Sequence, residues 1–232
     1  MPETGRVTIA VFLRAVLSLV GFVLILGLGL FLSAGDIGWP IGWRFLAFFT
    51  LLTVPSIAYL WRVNPDIFVA RSKIRAGTKG WDKVLVSVLL LAFFATFPLA
   101  GLDARFGWSS APAWSVAVGY VLSAVGYLGS IWVYATNKFA EPTVRIQRER
   151  GQTVISTGPY AVVRHPLYLG SLFLFLGFPL ALGSYWALAP AGVGAVVLVV
   201  RTALEDRTLR EELEGYKEYA RRVRSRLIPG IW

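Results

Sequence analysis

Long uncharged stretches alternate with short charged ones along this chain. Five stand out: Ala15 to Ala34, Phe45 to Trp61, Val84 to Leu102, Ala111 to Thr136, and Leu167 to Val200. In hydrocarbon every backbone polar group needs a partner within the chain, so uncharged runs approaching about 20 residues are read as membrane-crossing helices. The last run is too long for one straight crossing at about 1.5 Å per residue. Gly183-Ser184 near its middle predicts a helical hairpin, Leu167 to Leu182 and then Tyr185 to Val200. The fold class expected is all-α: a polytopic transmembrane bundle of five to six spans, the last two a hairpin, followed by a charged C-terminal helix with a break at Gly215.

Within the fourth run Gly119, Ser123, Gly126 and Ser130 recur at helical spacing. Small residues so placed let a second helix approach closely, within the monomer or at a dimer seam, and packing inside the monomer is the expectation. Pro55, Pro98, Pro179 and Pro190 interrupt apolar runs. Trp39, Trp43, Trp61, Trp81, Trp108 and Trp114 fall near span ends, where amphipathic rings anchor at the headgroup level. Arg6 and Arg14 precede the first run in the manner of a secretory signal. That run has spanning length and no small-x-small cleavage site before Asp36, so it is read as a retained span.

Composition agrees. Hydrophobic residues make up 56% of the 232 positions and charged ones 16%, too apolar for an ordinary soluble surface. With no cysteine and one histidine, disulfides, thiol nucleophiles and multi-histidine metal sites are excluded, and no metal is expected. The net charge of +10 does not point to nucleic acid, because the basic residues lie between apolar runs. With six crossings, all but Arg44 and Arg105 of the 23 lysines and arginines fall on one side. The positive-inside rule makes that side cytoplasmic, with both termini there, and the inner membrane of a bacterium is the expected location.

Polar residues concentrate after about residue 137. Upstream, the spans carry almost no group fit for chemistry, and the segment from Arg62 to Lys83 reads as a solvated or lipid-contacting basic linker. Downstream, the loop 137–166 enters the hairpin and the tail 201–232 leaves it, so both emerge at the same face. The loop ends in Thr157-Gly158-Pro159-Tyr160 and Val163-Arg164-His165-Pro166, and Pro166 suits the first position of a helix. Gly170 and Ser171, one turn in, leave room for a ligand against the backbone. Taken alone, Arg164 snorkels to phosphates and His165 caps the span. On the departing helix Arg201 and Glu205 share a face at i,i+4, with Asp206 about 100° around. Taken alone, they form a surface pair.

The stretch Gly151-Gln152-x-Val154-x-x-Thr157-Gly158-Pro159-Tyr160-x-x-Val163-Arg164-His165-Pro166-x-Tyr168-x-Gly170 resembles the signature of the isoprenylcysteine carboxyl methyltransferase family. The likeness continues through Arg201-x-x-x-Glu205-Asp206-x-x-Leu209, Tyr216-x-x-Tyr219 and the closing Arg226 to Trp232, which is similar to bacterial members. It covers roughly the last 95 residues and divides the chain into N-terminal transmembrane helices, 1–136, and a methyltransferase core, 137–232. The wider superfamily includes phospholipid N-methyltransferases, small-thiol methyltransferases and, more distantly, sterol reductases.

The resemblance implies S-adenosylmethionine as cofactor. Gly158, Pro159, Tyr160, Arg164, His165, Tyr168, Gly170, Glu205 and Asp206 would bind it, and Arg201 with Glu205 would stand at the catalytic centre. Asp206 takes the place of a second glutamate, keeping the charge with a shorter reach. Methyl transfer is an in-line displacement from a sulfonium, so alignment and exclusion of water suffice without a nucleophile or metal. The expected partners are membrane lipids and a lipophilic or lipidated substrate entering from the bilayer. A carboxylate acceptor would be oriented by Arg201 and needs no base. An amine or thiol must lose a proton, to Glu205 or His165. Two alternatives stay open: an NADPH-dependent sterol-type reductase, and a non-enzymatic scaffold whose basic loops bind anionic lipid.

Overall fold

The computed structural model describes residues 9–72 and 74–232; Arg6 and Lys73, counted above among the basic residues, lie outside them. The described residues form helices and turns with no strand. In chain order the helices are α1 (Ile9–Ala34), α2 (Pro40–Val63), α3 (Asp66–Ala70), α4 (Gly80–Phe106), α5 (Ala113–Thr136), α6 (Pro166–Ala181), α7 (Leu188–Glu212) and α8 (Tyr216–Arg222). Five of them, α1, α2, α4, α5 and α7, are long and apolar enough to cross a membrane. Helix α6 has 16 residues, about 24 Å at the helical rise.

Each expected run falls on a helix, the fourth beginning two residues before α5, and the hairpin differs in its second arm. The turn extends from Leu182 to Ala187, so α7 begins at Leu188 and continues past Val200 to Glu212. Gly183 sits at φ +72, a left-handed conformation suited to glycine, and Ser184 Oγ accepts the Ala187 N–H at 3.1 Å. The same hydroxyl donates to Asp103 Oδ2 at 2.5 Å, and Asp103 also accepts the backbone N–H and hydroxyl of Ser109. This clasp ties the α6–α7 turn to the α4–α5 connection. Arg201, Glu205 and Asp206 therefore belong to the spanning helix itself rather than to a separate tail. That helix ends before Gly215, whose φ of +77 turns the chain into α8.

The α5–α6 contact is the closest in the bundle. A Cβ on Gly126 would meet the Gly170 carbonyl, one on Gly177 would meet Ser123, and one on Gly119 would collide with the α6 backbone at Leu180 and Ala181. The small residues expected at helical spacing thus pack within the monomer. Ser123 and Ser130 return their hydroxyls to the carbonyls of Gly119 and Gly126, so no donor is stranded in the seam. Around it, Phe45, Phe97, Phe178, Leu26 and Leu30 form the main core, with the Phe45 and Phe178 rings edge to face at 5.1 Å. Outward positions such as Leu17, Leu32, Leu51, Leu91 and Val196 are apolar and exposed, as helices facing lipid require.

Candidate active site

The loop 137–165 is irregular but closely held. Asn137 donates from Nδ2 to the Tyr160 hydroxyl at 2.7 Å and accepts the Phe139 N–H, while Gln147 Nε2 donates to the Phe139 carbonyl. Arg145 bonds Glu141 through Nε and Nη2 and reaches Glu149. These carboxylates raise the Arg145 pKa, and Arg145 in turn lowers that of Glu149. Gly158 sits at φ +58, so the turn before Tyr160 uses the left-handed conformation that glycine adopts freely.

The segment around 62–83 does more than link two spans. It contains α3, and Arg71 lies over the Tyr134 ring and donates to the Ala140 carbonyl at 3.4 Å. Thr78 pairs with Thr143, and Lys79 donates its backbone N–H to the Val144 carbonyl. Its last acidic residue, Asp82, is fully buried in the first turn of α4. Asp82 accepts the Val144 N–H at 2.7 Å and two bonds from Arg201, Nε to Oδ1 at 2.7 Å and Nη2 to Oδ2 at 3.1 Å. Arg201 Nη2 also donates to the Pro142 carbonyl. The expected face-sharing of Arg201 with Glu205 gives no ion pair between them. Arg201 turns to α4 instead and lies over the Tyr168 ring at 5.0 Å, while the Tyr168 hydroxyl donates to Glu205 Oε2.

His165 and Glu205 come together from opposite ends of the α6–α7 hairpin, Nδ1 and Oε2 being 3.9 Å apart. The His165 ring stacks on Tyr168. On its other edge Nε2 lies 3.4 Å from Asp206 Oδ1 and 3.4 Å from the Tyr216 hydroxyl. Asp206 itself is saturated, taking bonds from Arg164, Arg210, Arg226 and Tyr216. Arg164 Nη1 donates to the carbonyls of Val223 and Arg224. Burial pushes Tyr219 up to about 12, and its hydroxyl donates to the Tyr160 carbonyl at 2.7 Å.

A cavity of about 530 Å³ opens among these groups, within the range of small-molecule sites. Its polar end is lined by Arg71, Arg145, Gln147, Tyr160, His165, Tyr168, Arg201 and Glu205. Its other end runs between the helices along Phe22, Phe49, Leu90, Phe93 and Phe94. Among the described residues, Glu205 Oε1 and Arg201 Nη1 have no hydrogen-bond partner.

Of the residues expected to bind a cofactor, Tyr160, Arg164, His165, Tyr168 and Glu205 line this cavity, and Arg201 lines it as well. Four do not. Gly170 has no free space beside it, because a Cβ there would sit 2.6 Å from Ser130 Oγ; the room expected for a ligand is filled by α5. Gly158 and Pro159 shape the turn that presents Tyr160. Asp206 lies behind the cavity wall, 1% exposed, as the hub of an ion cluster. Arg164 reaches the wall, with Nε, Nη1 and Nη2 donating to Asp206 and the tail carbonyls. Asp82 was missed altogether. An aspartate in a basic segment carries no sequence signal of a partner 119 residues away.

Residues 114–214 match the family described as phospholipid methyltransferase. A stretch of 81 residues is 33% identical to the cobalt-zinc-cadmium resistance protein CzcN of Cupriavidus metallidurans, covering 34% of this chain and 37% of that protein. The chain therefore aligns with much less than two thirds of that relative's length. The family match takes in α5, the loop, the α6–α7 hairpin and every expected site residue, and leaves out Asp82. From α5 to the end of α7, this multi-helix membrane chain is similar to the phospholipid methyltransferase family.

Proposed function

We propose that the chain is an integral-membrane methyltransferase that uses S-adenosylmethionine and methylates a lipophilic acceptor drawn from the bilayer. The observation that carries this reading is the single cavity joining a polar end, with Glu205 and Arg201 on its wall, to an apolar end between the helices. A soluble zwitterionic donor suits the first end and a lipid chain the second. The bound cofactor would supply an electrophilic methyl group on a sulfonium.

The residues present fit such a group. The open Glu205 oxygen can accept from a ribose hydroxyl or an ammonium, and Arg201 Nη1 is a free donor for a carboxylate. The Tyr160 ring on the cavity wall offers a face favourable to a cation. Tyr168 holds Glu205 in place.

A carboxylate acceptor, as in the isoprenylcysteine carboxyl methyltransferases, would require no base. A second reading, an amine on a phospholipid, is favoured by the family match and by Asp82, which balances the charge of Arg201. There the acceptor proton would pass to Glu205 or His165. In either case the basic face, with both termini, is the cytoplasmic one by the positive-inside rule.

Thermal unfolding of the purified protein with S-adenosylhomocysteine and with NADPH separates the enzyme classes, because a ligand of the native state raises stability. Stabilisation by S-adenosylhomocysteine is expected, and by NADPH alone would overturn the assignment. Glu205→Gln should weaken S-adenosylhomocysteine binding at least tenfold while leaving unfolding cooperative. Incubation with lipid extracts and isotopically labelled methyl donor, read by mass spectrometry, identifies the acceptor.

A further inference from the structure

Asp82 lies outside the family-matched segment, yet it contacts the site more directly than several residues inside it. It is 0% exposed, and its partners are the Arg201 guanidinium and the Val144 N–H. A buried ion pair costs much in desolvation, and packed apolar side chains of similar volume often stabilise a protein as well or better. Bulk stability is therefore a weak reason for a charge here, and the contacts that follow from it give a stronger one.

From Asp82 an unbroken chain of contacts leads to the cavity. Both Asp82 oxygens fix the plane of the Arg201 guanidinium. That guanidinium lies over the Tyr168 ring at 5.0 Å, and the Tyr168 hydroxyl donates to Glu205. Tyr168 also stacks on His165, which limits it to the face left for Arg201. In parallel, Asp82 and Arg201 grip the loop at Val144 and Pro142, two residues of the cavity wall. Each link is a charge-assisted or cation–π contact whose geometry depends on the one before it.

We infer that Asp82 is a positioning residue that orients the Glu205 carboxylate through Arg201 and Tyr168. Its consequence for cofactor binding rests on the function proposed above, but the orientation itself belongs to the ligand-free protein. The α4 N-terminus is thereby part of the site, which makes α4 more than a support for the α6–α7 hairpin.

The test is carbodiimide labelling of Glu205 in the ligand-free protein in detergent, read by peptide mass spectrometry, for wild type, D82N, Y168F and the double variant. Loss of the tyrosine hydroxyl frees Glu205, so Y168F should raise its labelling several-fold. D82N should raise it to a similar level, and the double variant should add little, because both act on one path. Wild-type labelling in D82N, or independent increases in the double variant, would overturn the relay. Should D82N not fold, D82N/R201Q removes the pair without leaving a buried lone charge and should give the same high labelling; wild-type labelling there overturns it equally.

Binding of S-adenosylhomocysteine is measured on the same samples. Loss of affinity in D82N without a matching fall in Tm supports positioning. Wild-type affinity in D82N overturns its bearing on the cofactor. An absence of binding in wild type sinks the proposed function while the labelling still decides the relay.

Discussion

Arg164 and Asp206 form a two-point ion pair between the end of the loop and α7, Nε to Oδ1 at 2.7 Å and Nη2 to Oδ2 at 3.3 Å, with both side chains buried. Around this pair the chain draws together. Arg164 and His165 donate their backbone N–H groups to the carbonyls of Ser225 and Arg226, and the Arg226 guanidinium returns to Asp206 while lying over the Trp232 ring. One carboxylate thus fastens the loop, α7, α8 and the C-terminal tail behind His165.

Removing one partner leaves the other buried and uncompensated. R164A and D206A should each cost about 3–5 kcal/mol. R210A, which removes a partly exposed arm of the same hub, should cost about 1 kcal/mol or less. Thermal unfolding in detergent compares them, and equal losses for R164A and R210A would contradict the saturated-hub reading.

The α5–α6 seam makes a sharper steric prediction. Gly170→Ala places a methyl against Ser130 and the Gly126 carbonyl and should destabilise by about 1–3 kcal/mol. Gly129, on the same stretch of α5, has open space where its Cβ would stand, so Gly129→Ala should be neutral or stabilising by up to about 1 kcal/mol. Tm values of the two alanine variants measured side by side provide the check.

Alkaline pH should loosen the cytoplasmic-face assembly of the proposed orientation. Tyr160, Tyr216 and Tyr219 all titrate above their ordinary value, in each case chiefly through burial, with Tyr219 at about 12. A group whose folded pKa is raised stays protonated in the native state while the unfolded chain ionises. The stability it contributes is therefore complete below about pH 10 and lost as pH climbs from there through 12. Tm measured from pH 8 to 12 should fall in that window, and Y219F should reduce the slope.

Much of this protein could be read without coordinates, for identifiable reasons. Apolar run length found four single spans and the hairpin, because the hydrocarbon requirement acts on each segment separately. The spacing of Gly119, Ser123, Gly126 and Ser130 announced a close helix contact, since helical periodicity is local. Motif likeness selected Tyr160, Arg164, His165, Tyr168, Arg201 and Glu205, which all line the cavity. It also selected Gly158, Pro159, Gly170 and Asp206, which do not: a motif records that a residue type recurs, and a turn, a packing seam and an ion hub select residues as strictly as a ligand does.

The linear order of residues was enough to determine the helical class, the approximate spans and the segment where polar chemistry gathers, because each depends on nearest neighbours or on the solvent around one element. Tertiary structure alone decided which charge meets which. Arg201 has Glu205 one turn away on its own helix and bonds Asp82 of α4 instead, because the packing of α4 against α7 buries both groups and a buried charge must find a partner wherever the fold brings one.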